Sequence, residues 1–208
     1  QTVSLTVNPI SDTPTLAATA VSGNEDSPIA LNIASALTDT DGSETLSIRL
    51  DNIPAGAVLS NTAGDILSIS GGSIVLTPDQ LAGLAITPPA NSHSDFNLTV
   101  TATAVDGSAA PASTATSLTV TVNPVTDLSA ANDSASTDED VPVINASVAG
   151  NDSTTSGGSL TYALASGVSN GTLTFNSDGS YSYTPNGNYS GPDSFTYTVT
   201  DAASGESL

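Results

Sequence analysis

The chain reads as all-β, two antiparallel β-sandwiches in tandem, on three observations. Short runs alternate apolar residues with Ser or Thr, Gly, Pro, Asn and Asp punctuate those runs, and one set of motifs occurs twice at a nearly constant offset. Phe195-Thr-Tyr-Thr-Val199 and Leu118-Thr-Val-Thr-Val122 show the period of two, which places one face in a core and the other in water. The same pattern predicts strands at Thr15–Val21, Ile29–Ala34, Thr45–Leu50, Ile66–Ile69, Ile74–Thr77 and Phe96–Val105. In the second half it predicts Val141–Val148, Leu160–Ala165, Thr172–Phe175 and Ser180–Thr184. Asn176-Ser-Asp-Gly179 predicts a hairpin turn, and Pro78–Leu84 no more than a single helical turn.

The repeat sets the domain organisation. Thr6-Val-Asn-Pro9-Ile-Ser-Asp12 recurs as Thr121-Val-Asn-Pro124-Val-Thr-Asp127, an offset of 115. Glu25-Asp26 recurs as Glu139-Asp140, an offset of 114. Two features at one spacing imply two copies of a module, here 9–123 and 124–208, with the Pro of each linker limiting its bending. Residues 1–8 stand apart. A strand, Ser117–Val122, follows Asp106 in the first module, and no such strand follows its counterpart Asp201 up to Leu208. Thr2–Val7 resembles that strand, so the second sandwich is expected to lack its final strand. Thr2–Val7 is expected either to end a preceding module or to be donated to a neighbour's sheet.

Composition then narrows the chemistry. Of 208 residues, 21 are acidic and one is a cation, Arg49, for a net charge of −20. A chain so acidic repels phosphate, which excludes nucleic acid and disfavours anionic membrane surfaces, and no apolar run is long enough for membrane insertion. Charged residues make up only 11%, too few for charge-driven disorder. With no Cys and one His, thiolate and imidazole metals are out of reach, and an all-oxygen donor set points to Ca²⁺.

Strand parity says where the carboxylates meet. In an antiparallel sandwich the A–B loop, carrying Glu25 and Asp26, shares an end with the outgoing linker and its Asn123 and Asp127. The same junction is expected to receive Asn151, Asp152 and Asp201 from the top of the second module. At the opposite end of the first module, Asp39 and Asp41 of Asp39-Thr-Asp-Gly-Ser-Glu44, with Asp106, are expected to face Asn8 and Asp12. Glu139 and Asp140 occupy the far end of the second module. Acids that converge repel unless cations lie between them, and Ca²⁺ takes six to eight oxygens. Taken singly, each Asp is also an ordinary turn former.

Several of these motifs carry a family resemblance. Asn132-Asp-Ser134, Glu139-Asp140, Asn151-Asp-Ser153, Tyr181-Ser-Tyr-Thr-Pro-Asn186 and Asp193-Ser-Phe-Thr-Tyr-Thr-Val-Thr-Asp201 resemble bacterial cadherin-like repeats, the extender modules of large RTX adhesins exported by type I secretion. Leu37–Glu44 and Ile53-Pro-Ala-Gly-Ala57 look like a related module. The resemblance implies Ig-like sandwiches with Ca²⁺-stiffened linkers, at the bacterial cell surface, whose partners are neighbouring modules or subunits. Relatives of this kind often carry further acids after Asn-Asp-Ser. Here Thr154–Ser159 has none, so the junction between the two modules is expected to hold fewer ions.

Catalysis finds no support in the residues. Ser92-His93-Ser-Asp95 has triad residue types, but neighbours in sequence cannot adopt a relay geometry. The tyrosines and phenylalanines of the second half are expected in its core, and the first half, with Phe96 its one aromatic, must have an aliphatic core. The expected function is a calcium-stiffened spacer. A filament subunit that donates Thr2–Val7, and a calcium-dependent glycan-binding or partner-binding module, are the alternatives.

Overall fold

The computed structural model describes residues 1–208. It divides into two compact units, Gln1–Val125 and Thr126–Leu208. All regular structure is β apart from one 3₁₀ turn at Pro78–Leu81, and no helix is long and apolar enough to cross a membrane.

Unit 1 runs through β1 (Thr15–Ala18), β2 (Val21–Asn24), β3 (Ile29–Ala30), β4 (Ile33–Ala36) and β5 (Glu44–Asp51). It continues through β6 (Val58–Ser60), β7 (Ile74–Leu76), β8 (Ala85–Thr87), β9 (Phe96–Asp106) and β10 (Ala112–Asn123). A five-stranded sheet has the order β2-β10-β9-β5-β7, with β2 parallel to β10 and the other pairs antiparallel. Smaller sheets, β3-β8-β6 and β1-β4, complete the sandwich. The period of two does its work on β9, where Leu98, Val100, Ala102 and Ala104 are buried and the intervening Thr residues face outward. Leu98 and Val100 share a core with Ile48 and Leu50 of β5, Leu118, Val120 and Val122 of β10, and Ile29, Leu59 and Ile86 of the smaller sheet. The core is aliphatic, with Phe96 at its margin.

Unit 2 contains β11 (Leu128–Ser129), β12 (Val143–Ser147), β13 (Ser153–Thr154), β14 (Leu160–Ser166), β15 (Gly171–Phe175), β16 (Ser180–Pro185) and β17 (Thr196–Asp201). They pair as β11-β13, β12-β16-β15 and β14-β17, all antiparallel. Its core is aromatic. Tyr162, Tyr181, Val199, Leu128 and Val148 are buried, and Tyr181 meets Phe195 edge to face at 5.2 Å between ring centroids. The turn after β15 closes with the Gly179 N–H donating to the Asn176 carbonyl, and Gly179 adopts φ +80°, which costs a glycine little.

Ile66–Ile69 departs from the sequence reading: it forms no strand, and Ile66 is 93% exposed. Alternation there is too short, and its flanking Gly residues turn the chain before a ladder can form. Short strands at Val58–Ser60, Ala85–Thr87, Leu128–Ser129 and Ser153–Thr154 carry two or three residues each, below what alternation can reveal.

Candidate functional site

In each unit a glutamate grips the backbone of an incoming linker, buried in unit 1 and half-buried in unit 2. In unit 1 the Asp12 N–H donates to Glu44 Oε1 at 2.6 Å. In unit 2 its repeat counterpart Asp127, with Leu128, donates backbone N–H groups to Glu206 Oε2, both at 2.8 Å. The two glutamates occupy unrelated sequence positions, one opening β5 and the other following β17. A third, Glu25, is 5% exposed and accepts the Val125 N–H at 2.8 Å, while its own N–H donates to the Asn123 carbonyl. Charge-assisted bonds of this kind exceed neutral ones in strength, so Glu25→Ala is expected to cost unit 1 about 1–3 kcal/mol. Urea unfolding checks this, and an unchanged midpoint would remove Glu25 from the linker's support.

The site at the start of β5 is strongly anionic. Asp106 of β9 stands directly opposite Glu44 in the ladder, which puts two carboxylates on one face, and like charges so placed repel. The linker lies across them: the Asp106 N–H donates to Ser11 Oγ at 2.9 Å, and Pro9 lies against Gly107. Glu44 Oε1 takes the Asp12 N–H, whereas Glu44 Oε2 is buried and meets no donor. An ionised oxygen buried without a donor or cation is costly. Asp39 and Asp41 turn to their own loop instead. Asp39 Oδ1 accepts the Asp41 N–H, and Asp41 Oδ1 accepts both donors of Ser43, which draw its pKa below the usual carboxylate value. Asn8 is exposed.

Unit 2 repeats the orphaned oxygen at Asp127. Its Oδ1 accepts the Thr155 hydroxyl, and its Oδ2 is buried with no partner. Asp152 Oδ1 accepts the Ala131 N–H at 3.0 Å, and its Oδ2 also lacks a partner of good geometry. The Tyr162 hydroxyl lies beside the Asp152 carboxylate. Burial first, and then the Asp152 carboxylate, raise the pKa of Tyr162. Asn151 Nδ2 donates to the Asn132 carbonyl at 3.3 Å.

Asp201 has the opposite surroundings. It is fully buried, and Thr154 Oγ1, Ser156 Oγ and Ser204 Oγ donate to its Oδ2 while the Ala203 N–H donates to Oδ1. These donors, the Ser156 and Thr154 hydroxyls foremost, hold its pKa far below the usual carboxylate value. A Cβ at Gly158 would overlap Asp201 Oδ1, so only glycine lets the loop close over the carboxylate. The acid-free stretch Thr154–Ser159 thus supplies hydroxyls to an acid from elsewhere.

The second member of the repeated Glu-Asp pair anchors a loop. Asp26 and Asp140 both adopt left-handed backbone, φ 55° and 63°. Asp26 Oδ1 accepts the Asn91 N–H and Asp140 Oδ1 the Asn188 N–H, each at 2.9 Å. Asn91 and Asn188 are themselves left-handed, a conformation Asn tolerates. Glu139, unlike Glu25, is exposed.

Sequence reasoning therefore missed Glu44 and Glu206 as members of the site. The signal available was a shared one: each ends a Gly-containing turn, Asp41-Gly-Ser-Glu44 and Ser204-Gly-Glu206, that returns the chain to a sheet. It missed two further structural acids, Asp193, which accepts from Ser169 and Asn170 N–H and the Tyr183 hydroxyl, and Asp95, which accepts the Val122 N–H of β10 at 2.8 Å. Asp95 is thereby directed away from His93, whose Nδ1 lies 4.0 Å from Glu25 Oε2. Nowhere do three His, Asp or Glu side chains converge closely enough to hold a metal by themselves. The donors that fit a hard cation are the orphaned carboxylate oxygens of Glu44 and Asp127.

Comparison with known proteins agrees with the fold of the second half. Residues 123–207 match the bacterial cadherin-like domain family. That match covers unit 2 and less than half of the chain. No curated protein matches the chain. Among solved structures, the protocadherin gamma B4 extracellular domain aligns with 92% of this chain and 31% of its own at 16% identity and a TM-score of 0.35. Drosophila N-cadherin EC1-4 aligns with 93% of this chain and 46% of its own at 17% identity, TM-score 0.33. An endo-fucoidan hydrolase of glycoside hydrolase family 107 covers 98% of this chain and 28% of its own at 16% identity, TM-score 0.32. This chain spans less than half the length of each, and likeness this slight transfers neither fold nor function.

Proposed function

We propose that the chain is a calcium-binding spacer segment of an extracellular bacterial adhesin of the RTX type, its cadherin-like modules stiffened where linkers meet module ends. The supporting observation is the pair of buried, donor-less carboxylate oxygens, Glu44 Oε2 and Asp127 Oδ2, each beside a linker Asp or belonging to one. Glu44 Oε2 would offer a charged ligand to an ion at the start of unit 1, and Asp127 Oδ2 would do the same at the start of unit 2. The bound ion supplies charge neutralisation and multidentate cross-linking. The protein's own groups fix the linker backbone through Glu44 and Glu206 whether or not the ion is bound. Asp201, saturated by hydroxyl and amide donors, contributes a metal-free anchor to the same end of unit 2.

Small-angle scattering and thermal melts with calcium and with EDTA test the reading. Calcium is expected to raise the melting temperature of both units and to narrow the distribution of molecular dimensions. Identical scattering profiles and melts in the two conditions would rule calcium out.

A further inference from the structure

The longest uncharged stretch of the chain, Ser153–Ser177, carries an open sheet edge. The next longest, residues 107–126, contains β10, which has β9 on one side and β2 on the other. Within Ser153–Ser177, β14 pairs with β17 on one side only, and β15 with β16 on one side only. Natural sheets guard such edges with charges, Pro or a covering segment, because a bare edge invites another strand. Leu160-Thr-Tyr-Ala-Leu-Ala-Ser166 has neither charge nor Pro.

Unit 1 shows what that side of the sandwich can hold. There β5 takes the place of β14, since Glu44 opens it opposite Asp106 as Leu160 opens β14 opposite Asp201. Along the two ladders Ile48 then meets Ala102 and Leu164 meets Tyr197, so Leu164 stands where Ile48 stands. Ile48 is 0% exposed and has a partner on its other side, Leu76 of β7. Leu164 is 45% exposed, and Ala163, Ala165 and Ser166 around it are exposed on both faces of the strand.

The backbone at Leu164 is free to pair. The Ala202 N–H donates to the Ser159 carbonyl, so antiparallel alternation turns the N–H and C=O of Leu160, Tyr162 and Leu164 away from β17. Tyr162 shows the direction, because its N–H donates at 3.0 Å to the carbonyl of Ser177, in the turn after β15. That turn covers the edge at Tyr162 and leaves the Leu164 N–H and C=O without a protein partner. The acids that flank the edge are engaged. Asp178 accepts both donors of Ser180, and Asp193 accepts the N–H groups of Ser169 and Asn170.

We propose that the β14 edge joins two copies of this chain side by side, the Leu164 N–H and C=O of each exchanging hydrogen bonds with those of the other about a twofold axis. An antiparallel pair centred on one residue maps the strand onto itself, so a single edge supplies both halves of the contact. Charge selects the partner. At a net charge of −20 two copies repel over most of their surface, and an acid-free side is where they can approach. A cationic partner would be drawn to the acidic loops instead. The two Leu164 side chains become cross-strand neighbours, as Leu76 is to Ile48 in unit 1. Backbone pairing supplies the affinity, and so short a contact gives a reversible dimer.

Sedimentation equilibrium in EDTA, which makes the outcome independent of the calcium reading, is expected to show mass rising with concentration toward that of a dimer. An A163E/A165E chain restores acids at exposed positions of the edge, so it should melt as the parent does and remain monomeric. The absence of native cysteine allows a second, direct test. Under mild oxidation L164C should form a disulfide-linked homodimer, while V75C, on β7 of unit 1 and 60% exposed in the parent, should stay reduced. A parent chain that is monomeric at every concentration, association that survives A163E/A165E, or L164C that links no faster than V75C would overturn the proposal.

Discussion

On the proposed calcium reading, Glu44→Gln is expected to weaken calcium binding at unit 1 and, without calcium, to leave the unit at least as stable as before. The glutamine carbonyl still accepts the Asp12 N–H, so the linker contact is kept. What changes is the orphaned Oε2, buried with no donor on a residue paired with Asp106 in the ladder. Its replacement by a neutral amide removes one hard, charged ligand and one like-charge repulsion together. Loss of a charged ligand lowers affinity by about tenfold or more, since a factor of ten corresponds to about 1.4 kcal/mol. In EDTA the sign reverses, because the uncompensated anion is gone. The measurements are calorimetric calcium titration and paired melts. A variant that is less stable in EDTA and binds calcium as tightly as the parent would show that Glu44 serves the linker alone.

Asp201→Asn is expected to destabilise unit 2 at neutral pH and to flatten its response to acid, with unit 1 unaffected. Four donors converge on the carboxylate, and an amide can accept at only one of its two atoms. Because those donors lower the folded-state pKa below the ordinary 3.8, the carboxylate contributes stability above about pH 4, where the unfolded chain is already ionised. That contribution is lost as pH falls through the folded value. The parent should therefore lose unit 2 cooperatively in acid, whereas the variant begins lower and changes less. Urea midpoints from pH 7 to strongly acidic conditions, followed through tyrosine fluorescence, read out unit 2, which holds all five tyrosines. Parallel pH profiles for the two chains would show that the carboxylate's charge is unimportant to the fold.

Much of the fold was legible because β structure writes its burial into a period of two. Leu98, Val100 and Ala102 could be assigned to a core from their alternation with Thr, and the tyrosine-rich half to an aromatic core from composition. The carboxylates were less readable. Asp26 and Asp140 recur at one offset, as a ligand pair would, yet each holds a left-handed Asn loop. A repeat in sequence registers any shared role, and loop anchoring recurs as faithfully as ligation. Glu44 and Glu206 escaped notice for the converse reason: they do the same work on Asp12 and Asp127 from positions that are not equivalent in the repeat.

By itself the sequence determined the all-β class, because periodicity is a property of the chain. Tertiary structure alone decided which oxygens are left without a donor. Glu44 Oε2 and Asp127 Oδ2 are orphaned, whereas Asp201 is saturated by Thr154, Ser156 and Ser204. Hydrogen-bond satisfaction depends on groups far apart in sequence, such as Asp12 and Glu44 or Thr154 and Asp201, that only folding brings within 3 Å.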